Sequence, residues 1–221
     1  MRDFIDYLKA PAENYRFPKK KLGSVIGLFF LIYLFNILVI FTFQRLTNAT
    51  PESTLSNLPK TIPFWFALAV PPLTEELTFR LWLKRSTTTI LISSVGLIWL
   101  LVSVLMPGVT PYSTDRLVLR CLIALAGGII FTWALKKPII NAKFPILFYA
   151  SAIVFGLIHA FNSHESINFW GAMMILLSLA TRALFGLFLG YVRIGYGIWA
   201  SYLFHVANNL LPIAALYFIF Q

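Results

Sequence analysis

Apolar runs of about the length needed to cross a bilayer alternate with short polar or basic breaks along nearly the whole chain. The first, Leu22 to Phe43, follows Lys19-Lys20-Lys21; it is too long for a signal-peptide core and has no small-residue cleavage site, which predicts a retained span. After a polar loop from Gln44 to Lys60, apolar character resumes at Ile62 and runs to Leu83, closed by Lys84-Arg85. Further runs cover Thr88 to Met106, stopped by Pro107-Gly108, and Leu117 to Leu135, stopped by Lys136-Lys137-Pro138. The last three are Phe144 to Phe161, Ile167 to Val192 and Ile194 to Phe220, the final one with Pro212 as an expected bend or split. Ahead of them, Phe4, Ile5 and Leu8 recur at helical spacing among Asp3, Asp6 and Lys9 until Pro11, which suits a short helix on the membrane surface or a solvated tail. The pattern predicts an all-α polytopic transmembrane bundle of seven to eight spans over residues 22–221, preceded by an N-terminal cytoplasmic or interfacial segment, residues 1–21.

Composition agrees: 59% of the 221 residues are hydrophobic and 12% charged, with a mean hydropathy of +0.80, outside the balance of a soluble domain. The lipid bilayer is thus the first partner. A net charge of +10 does not point to nucleic acid, because the cations sit in short clusters between apolar runs. Lys19 to Lys21, Lys84-Arg85, Lys136-Lys137-Lys143 and Arg193 fall on one side, and Arg45, Lys60 and Arg116 on the other with Glu52, Asp115 and Glu165. The positive-inside rule places the N-terminus in the cytoplasm. Cys121 is the single cysteine, so no intramolecular disulfide and no thiolate metal cluster is expected. Gly186 and Gly190 have the spacing that lets helices pack closely.

Within the apolar runs a few polar residues need explaining. Glu75 and Glu76 stand in Pro71-Pro72-Leu73-Thr74-Glu75-Glu76-Leu77-Thr78-Phe79-Arg80, where an ionisable group costs from roughly 3 to 10 kcal/mol or more unless paired or facing a wet cavity. Glu76 and Arg80 are one turn apart and expected to neutralise each other, leaving Glu75 over; alternatively both glutamates are consumed by Arg80 and Arg182. His159, Arg182, His205, Asn208 and Asn209 lie on three further runs. His205 and Asn209 share a helical face, His159 follows Phe155 by one turn, and Asn208 competes with Asn209 as the partner of His205. A Glu, two His and an Asn around one cavity permit water activation, with a carboxylate and an imidazole passing a proton and an amide with the second imidazole holding an oxyanion. Glu75, His159 and His205 are equally the ligand types of a zinc site with one open position, two histidines on different helices suit haem, and a carboxylate at membrane depth can carry protons. Arg182 reads as structural or as a contact for a substrate carboxylate. His164, beside Ser163 and Glu165, reads as a solvated loop histidine, and the Asn48-Ala49-Thr50 acceptor triplet is discounted because Pro51 follows it. A uniform rise per residue puts Glu75 nearer the inner face and His159 nearer the outer.

Glu75-Glu76-x-x-x-Arg80, Phe155-x-x-x-His159 and His205-x-x-x-Asn209, in this order and inside apolar runs, resemble the three motifs of the CPBP family of intramembrane proteases. That family includes the type II CAAX prenyl endopeptidases and bacterial Abi proteins linked to bacteriocin processing or self-immunity. The resemblance spans about Pro71 to Pro212. It implies a multi-pass protein, such as one of a bacterial inner membrane, that acts on a peptide or membrane-anchored protein substrate. By position Glu75 matches the catalytic glutamate, His159 the histidine that helps it activate water, His205 with Asn209 the oxyanion pair, and Glu76 with Arg80 a supporting ion pair. The resemblance allows a divalent metal such as zinc, held by Glu75, His159 and His205, or none. A non-enzymatic membrane immunity or interaction protein with the same fold is the rival reading.

Overall fold

The described parts of all seven apolar runs are largely helical in the computed structural model, which describes residues 2–15, 21–47, 63–106, 112–161 and 169–218. The described elements are α1 (Arg2–Lys9), α2 (Leu22–Thr47), α3 (Phe64–Phe79), a 3-10 turn (Leu81–Lys84), α4 (Thr87–Leu105), α5 (Leu117–Asn141), α6 (Phe144–Phe161), α7 (Phe169–Tyr196) and α8 (Ile198–Phe218). Four of them, α2, α4, α5 and α7, are long and apolar enough to cross a membrane, and α6 is a shorter apolar helix. The chain is therefore an all-α, multi-pass integral membrane protein. Of the expected seven to eight spans, the described residues show four helices that are both long and apolar enough to cross a membrane, and one shorter apolar helix. In α3, 16 residues rise only about 24 Å, short of a hydrocarbon core of about 30 Å. His164, the Asn48-Ala49-Thr50 triplet and the Pro107-Gly108 stop lie outside the described residues.

Several boundaries differ from the sequence expectation, among them the end of α7, which runs past Arg193 to Tyr196. The second run does not continue as α-helix to Leu83: α3 ends at Phe79, and the chain turns through the 3-10 segment to Arg85, whose φ of 55° lies in the left-handed region. Ser86 then opens α4 with a reciprocal capping box, its hydroxyl accepting from the Thr89 backbone while the Thr89 side chain accepts from its own. The fourth run was expected to stop at Lys136-Lys137-Pro138, yet α5 passes through Pro138 to Asn141. Proline forfeits a single helical hydrogen bond, here the one to the Ala134 carbonyl, and α5 continues only three residues beyond it. Pro212 neither splits nor ends α8.

The bundle is organised around α3. It packs against α8 on one side and α4 on the other and touches α6, while α7 packs against α6, α8 and α2, and α5 packs outside on α4. Helices in lipid gain little from the hydrophobic effect between themselves, so close approach of small residues decides the contacts. A Cβ at Gly186 of α7 would stand 3.1 Å from the Ala152 Cα of α6, and one at Gly156 of α6 would stand 2.8 Å from the Leu179 carbonyl oxygen of α7. Phe30, Leu34, Val118, Ile130 and Trp133 on α2 and α5 remain exposed, as a lipid-facing surface requires. At one end of the bundle α1 is docked rather than loose: Phe4 and Tyr7 are buried against Tyr191, and Tyr7 also meets Phe148 edge-on. The Tyr149 hydroxyl donates to the Leu8 carbonyl, Arg85 pairs with Glu13, and Lys21 pairs with Asp3 at 2.9 Å.

Candidate active site

The Pro71-Pro72 pair inside α3 removes two backbone donors one turn before the glutamates, and side chains bond nearby carbonyls. Tyr202 of α8 donates to the Ala69 carbonyl at 3.3 Å, and Thr74 to that of Pro71 at 2.8 Å. Successive helical residues point about 100° apart, so Glu75 and Glu76 face different neighbours.

Glu76 is fully enclosed and bound to α8. Its Oε1 accepts from His205 Nδ1 at 3.0 Å, and its Oε2 accepts from the Ser201 hydroxyl at 2.5 Å. Arg80 makes no direct ion pair with Glu76 among the described residues, although the charges of the two act on each other. The reason lies in the backbone. Arg80 is the C-cap of α3 rather than an interior helical residue, and its guanidinium lies 4.5 Å over the Phe155 ring and donates to the Gly186 carbonyl at 3.4 Å. It thereby clamps α3 to α6 and α7.

Glu75 points to the other side, where α6 and α8 deliver the histidines. Its Oε2 stands 3.4 Å from His205 Nε2 and 3.5 Å from His159 Nε2. Fractional side-chain exposures of 14% for Glu75, 22% for His159 and 3% for His205 grade the cluster from partly open to closed. The two ring orientations are set by acceptors. His159 Nδ1 faces the Phe155 carbonyl at 2.9 Å and His205 Nδ1 faces Glu76. Both acceptors require Nδ1–H, so in the neutral rings each Nε2 presents a lone pair toward Glu75. Glu75 Oε2 is buried and has no hydrogen-bond partner among the described residues. Phe155 packs both imidazoles in place, with ring centroids 4.5 Å from His159 and 5.7 Å from His205.

Asn209 lies one turn beyond His205 on the same face, and Asn208, expected as its rival, instead donates to Asn209 Oδ1 at 3.1 Å. The Asn209 oxygen is thus an acceptor, and its NH₂ group is the donor it can offer. Arg182 of α7 forms no ion pair with Glu76 among the described residues, although its charge acts on Glu75 and His159. The depths expected for Glu75 and His159 do not hold: α3 ends early, and the two side chains meet.

Two site residues had escaped the sequence reading. Ser201 is legible in hindsight as the residue one turn before His205, completing a stripe with Asn209 along α8. Tyr112, between α4 and α5, carries no such signal, because a loop has no period to read. Thr74 spends its own proton on Pro71, so the Tyr112 hydroxyl 3.4 Å away is the donor to it. Burial, with the charge of Glu75 adding, pushes the Tyr112 phenol up and keeps it protonated. The neighbouring Ser113 carbonyl accepts from Arg120 at 3.0 Å, which ties this loop to α5.

No group of three or more His, Cys, Asp or Glu side chains among the described residues is spaced as a preassembled metal site. The fold and this cluster define a class: a multi-pass helical membrane protein with carboxylate and imidazole groups converging inside the bundle. The narrower assignment comes from comparison with known families. Residues 137–211 match the family described as Type II CAAX prenyl endopeptidase Rce1-like, so this stretch carries an Rce1-like domain. It takes in His159, Arg182, His205 and Asn209, and Glu75, Glu76 and Arg80 lie before it. No curated protein and no solved structure matches the chain. The Rce1-like description is of a family of prenyl endopeptidases, matched here over the C-terminal third of the chain.

Proposed function

We propose that the chain is an intramembrane endopeptidase that hydrolyses a peptide bond of a membrane-associated substrate with water activated by Glu75 and His159. The observation that carries this reading is the buried, uncommitted Oε2 of Glu75 with an Nε2 on either side at 3.4 and 3.5 Å. A water there gives a proton to the carboxylate, and its oxygen attacks the substrate carbonyl. His205, held by Glu76, and the Asn209 amide donate to the resulting oxyanion. The carboxyl proton, relayed with His159, passes to the departing amine as the carbon–nitrogen bond breaks. The charge pattern supports a cytoplasmic N-terminus, and the motifs support a bacterial inner membrane.

The donor types of Glu75, His159 and His205 are those of a catalytic zinc site, with each inward nitrogen set by an acceptor on the far side of its ring, but their spacing here is not that of a preassembled site, so they would have to close around an ion. These three side chains would hold the ion, which when bound supplies a Lewis acid that polarises water or a carbonyl.

Glu75→Gln tests the reading, because it keeps the shape of the side chain and removes its basicity. Folded, membrane-inserted variant should lose about 10²- to 10⁴-fold in peptide hydrolysis in a reconstituted assay. Undiminished hydrolysis would end the proposal. Asn209→Ala should lose about 10²- to 10³-fold, the usual cost of one oxyanion donor.

A further inference from the structure

A second polar feature lies apart from the glutamate–histidine cluster. At the end of the bundle covered by α1, a cavity of about 390 Å³ is lined by Glu13, Tyr15, Leu83, Lys84, Arg193 and Ile194 among others. At about 30 Å³ per water this is room for on the order of a dozen water molecules, enough for a polar group rather than a packing defect. Its charge is one-sided. Glu13, an acid in the wall, is committed to Arg85, and Arg85 is further occupied with the Ile140 and Ala142 carbonyls. Lys84 and Arg193 form no ion pair among the described residues, and Arg193 Nε is buried without a hydrogen-bond partner. Two cations without an ion pair among the described residues, one of them holding a buried unused donor and sensing only the more distant charge of Glu76, therefore face one cavity.

We propose that this cavity binds a phosphate group, specifically the headgroup phosphate of an anionic phospholipid. Three observations favour that occupant. The chain is embedded in lipid. The cavity lies at the end of the bundle that the Lys and Arg distribution assigns to the cytoplasmic leaflet, where basic pockets between helices hold anionic headgroups. Its wall also pairs the cations with apolar Leu83 and Ile194, so a phosphate can meet Lys84 and Arg193 while its glycerol and upper acyl carbons meet hydrocarbon. A bound phosphate would tie the segment after α1 to the 3-10 turn that follows the α3 glutamates and to the last turn of α7. The site stands independently of the peptidase reading.

The test counts lipids on the intact chain by native mass spectrometry after equilibration in mixed micelles holding equal amounts of phosphatidylglycerol and phosphatidylcholine. The wild-type chain should retain one phosphatidylglycerol in preference. Lys84→Gln, at an exposed position where folding is not at stake, and Arg193→Gln should each weaken retention about fivefold, and the double variant should abolish the preference. Lys9→Gln, a basic residue at the same end outside the cavity, should change nothing. Millimolar inorganic phosphate identifies the source: displacement of the lipid means that phosphate alone is recognised, and persistence means that the glycerolipid body is needed. Equal retention of the two lipids by the wild type, or equal phosphatidylglycerol retention by wild type and Lys84→Gln, would overturn the proposal.

Discussion

At the scale of single residues, the site is a relay of orientations. Ser201 and Glu76 together fix His205: the hydroxyl holds one carboxylate oxygen, and the other accepts from Nδ1, which turns Nε2 toward Glu75. A supporting group of this kind is commonly worth 10- to 100-fold when removed. Ser201→Ala should therefore lower hydrolysis about tenfold with the protein still folded, and Ser201→Thr, which retains the hydroxyl, should recover part of it; steady-state kinetics on the two variants checks this. Glu76→Gln should cost more, because it disturbs both the acceptor of His205 Nδ1 and the acceptor of the Ser201 hydroxyl. The Arg80 side chain belongs to a different task, holding three helices together over the Phe155 ring.

At the scale of elements, the geometry depends on how closely α6 and α7 approach. The missing side chain at Gly186 lets α7 lie against Ala152, and its carbonyl receives Arg80. Gly186→Val forces at least one of these backbones to move. Overpacking of this kind costs about 1 to 3 kcal/mol, and the variant should unfold at lower temperature in detergent than the wild type. The same displacement carries His159 away from Glu75, so activity should fall further than stability. The early end of α3 matters as much: by turning at Arg80 instead of continuing to Leu83, the chain leaves Glu75 and Glu76 within the bundle and places Lys84 and Arg85 near α1.

At the scale of the whole molecule, α1 closes one end through buried aromatics and peripheral ion pairs. The hydrogen bond from Lys21 holds the Asp3 carboxyl below its usual 3.8, with partial desolvation opposing it. A carboxylate with a lowered folded-state value adds stability above the ordinary Asp range and loses it as pH falls through the lowered value. Docking of α1 should therefore be unchanged across neutral pH and loosen only under strong acid. Hydrogen exchange of Arg2–Lys9 measures this, and Asp3→Asn should raise exchange at neutral pH.

The sequence by itself determined the helices, because the length and spacing of apolar runs answer to the thickness and dielectric of the bilayer, a constraint that acts on each segment separately. It also singled out Glu75, His159, His205 and Asn209, since polar groups in such runs stand out against their surroundings. What only the tertiary structure decided is which of them meet. A helix fixes its own i and i+4 neighbours, so Glu76 with Arg80 looked like a pair; Ser201 and His205, more than a hundred residues on, take that carboxylate instead because α8 packs against α3. Tyr112 and the basic cavity were illegible for the same physical reason: their partners are neighbours in space that no periodicity along the chain records.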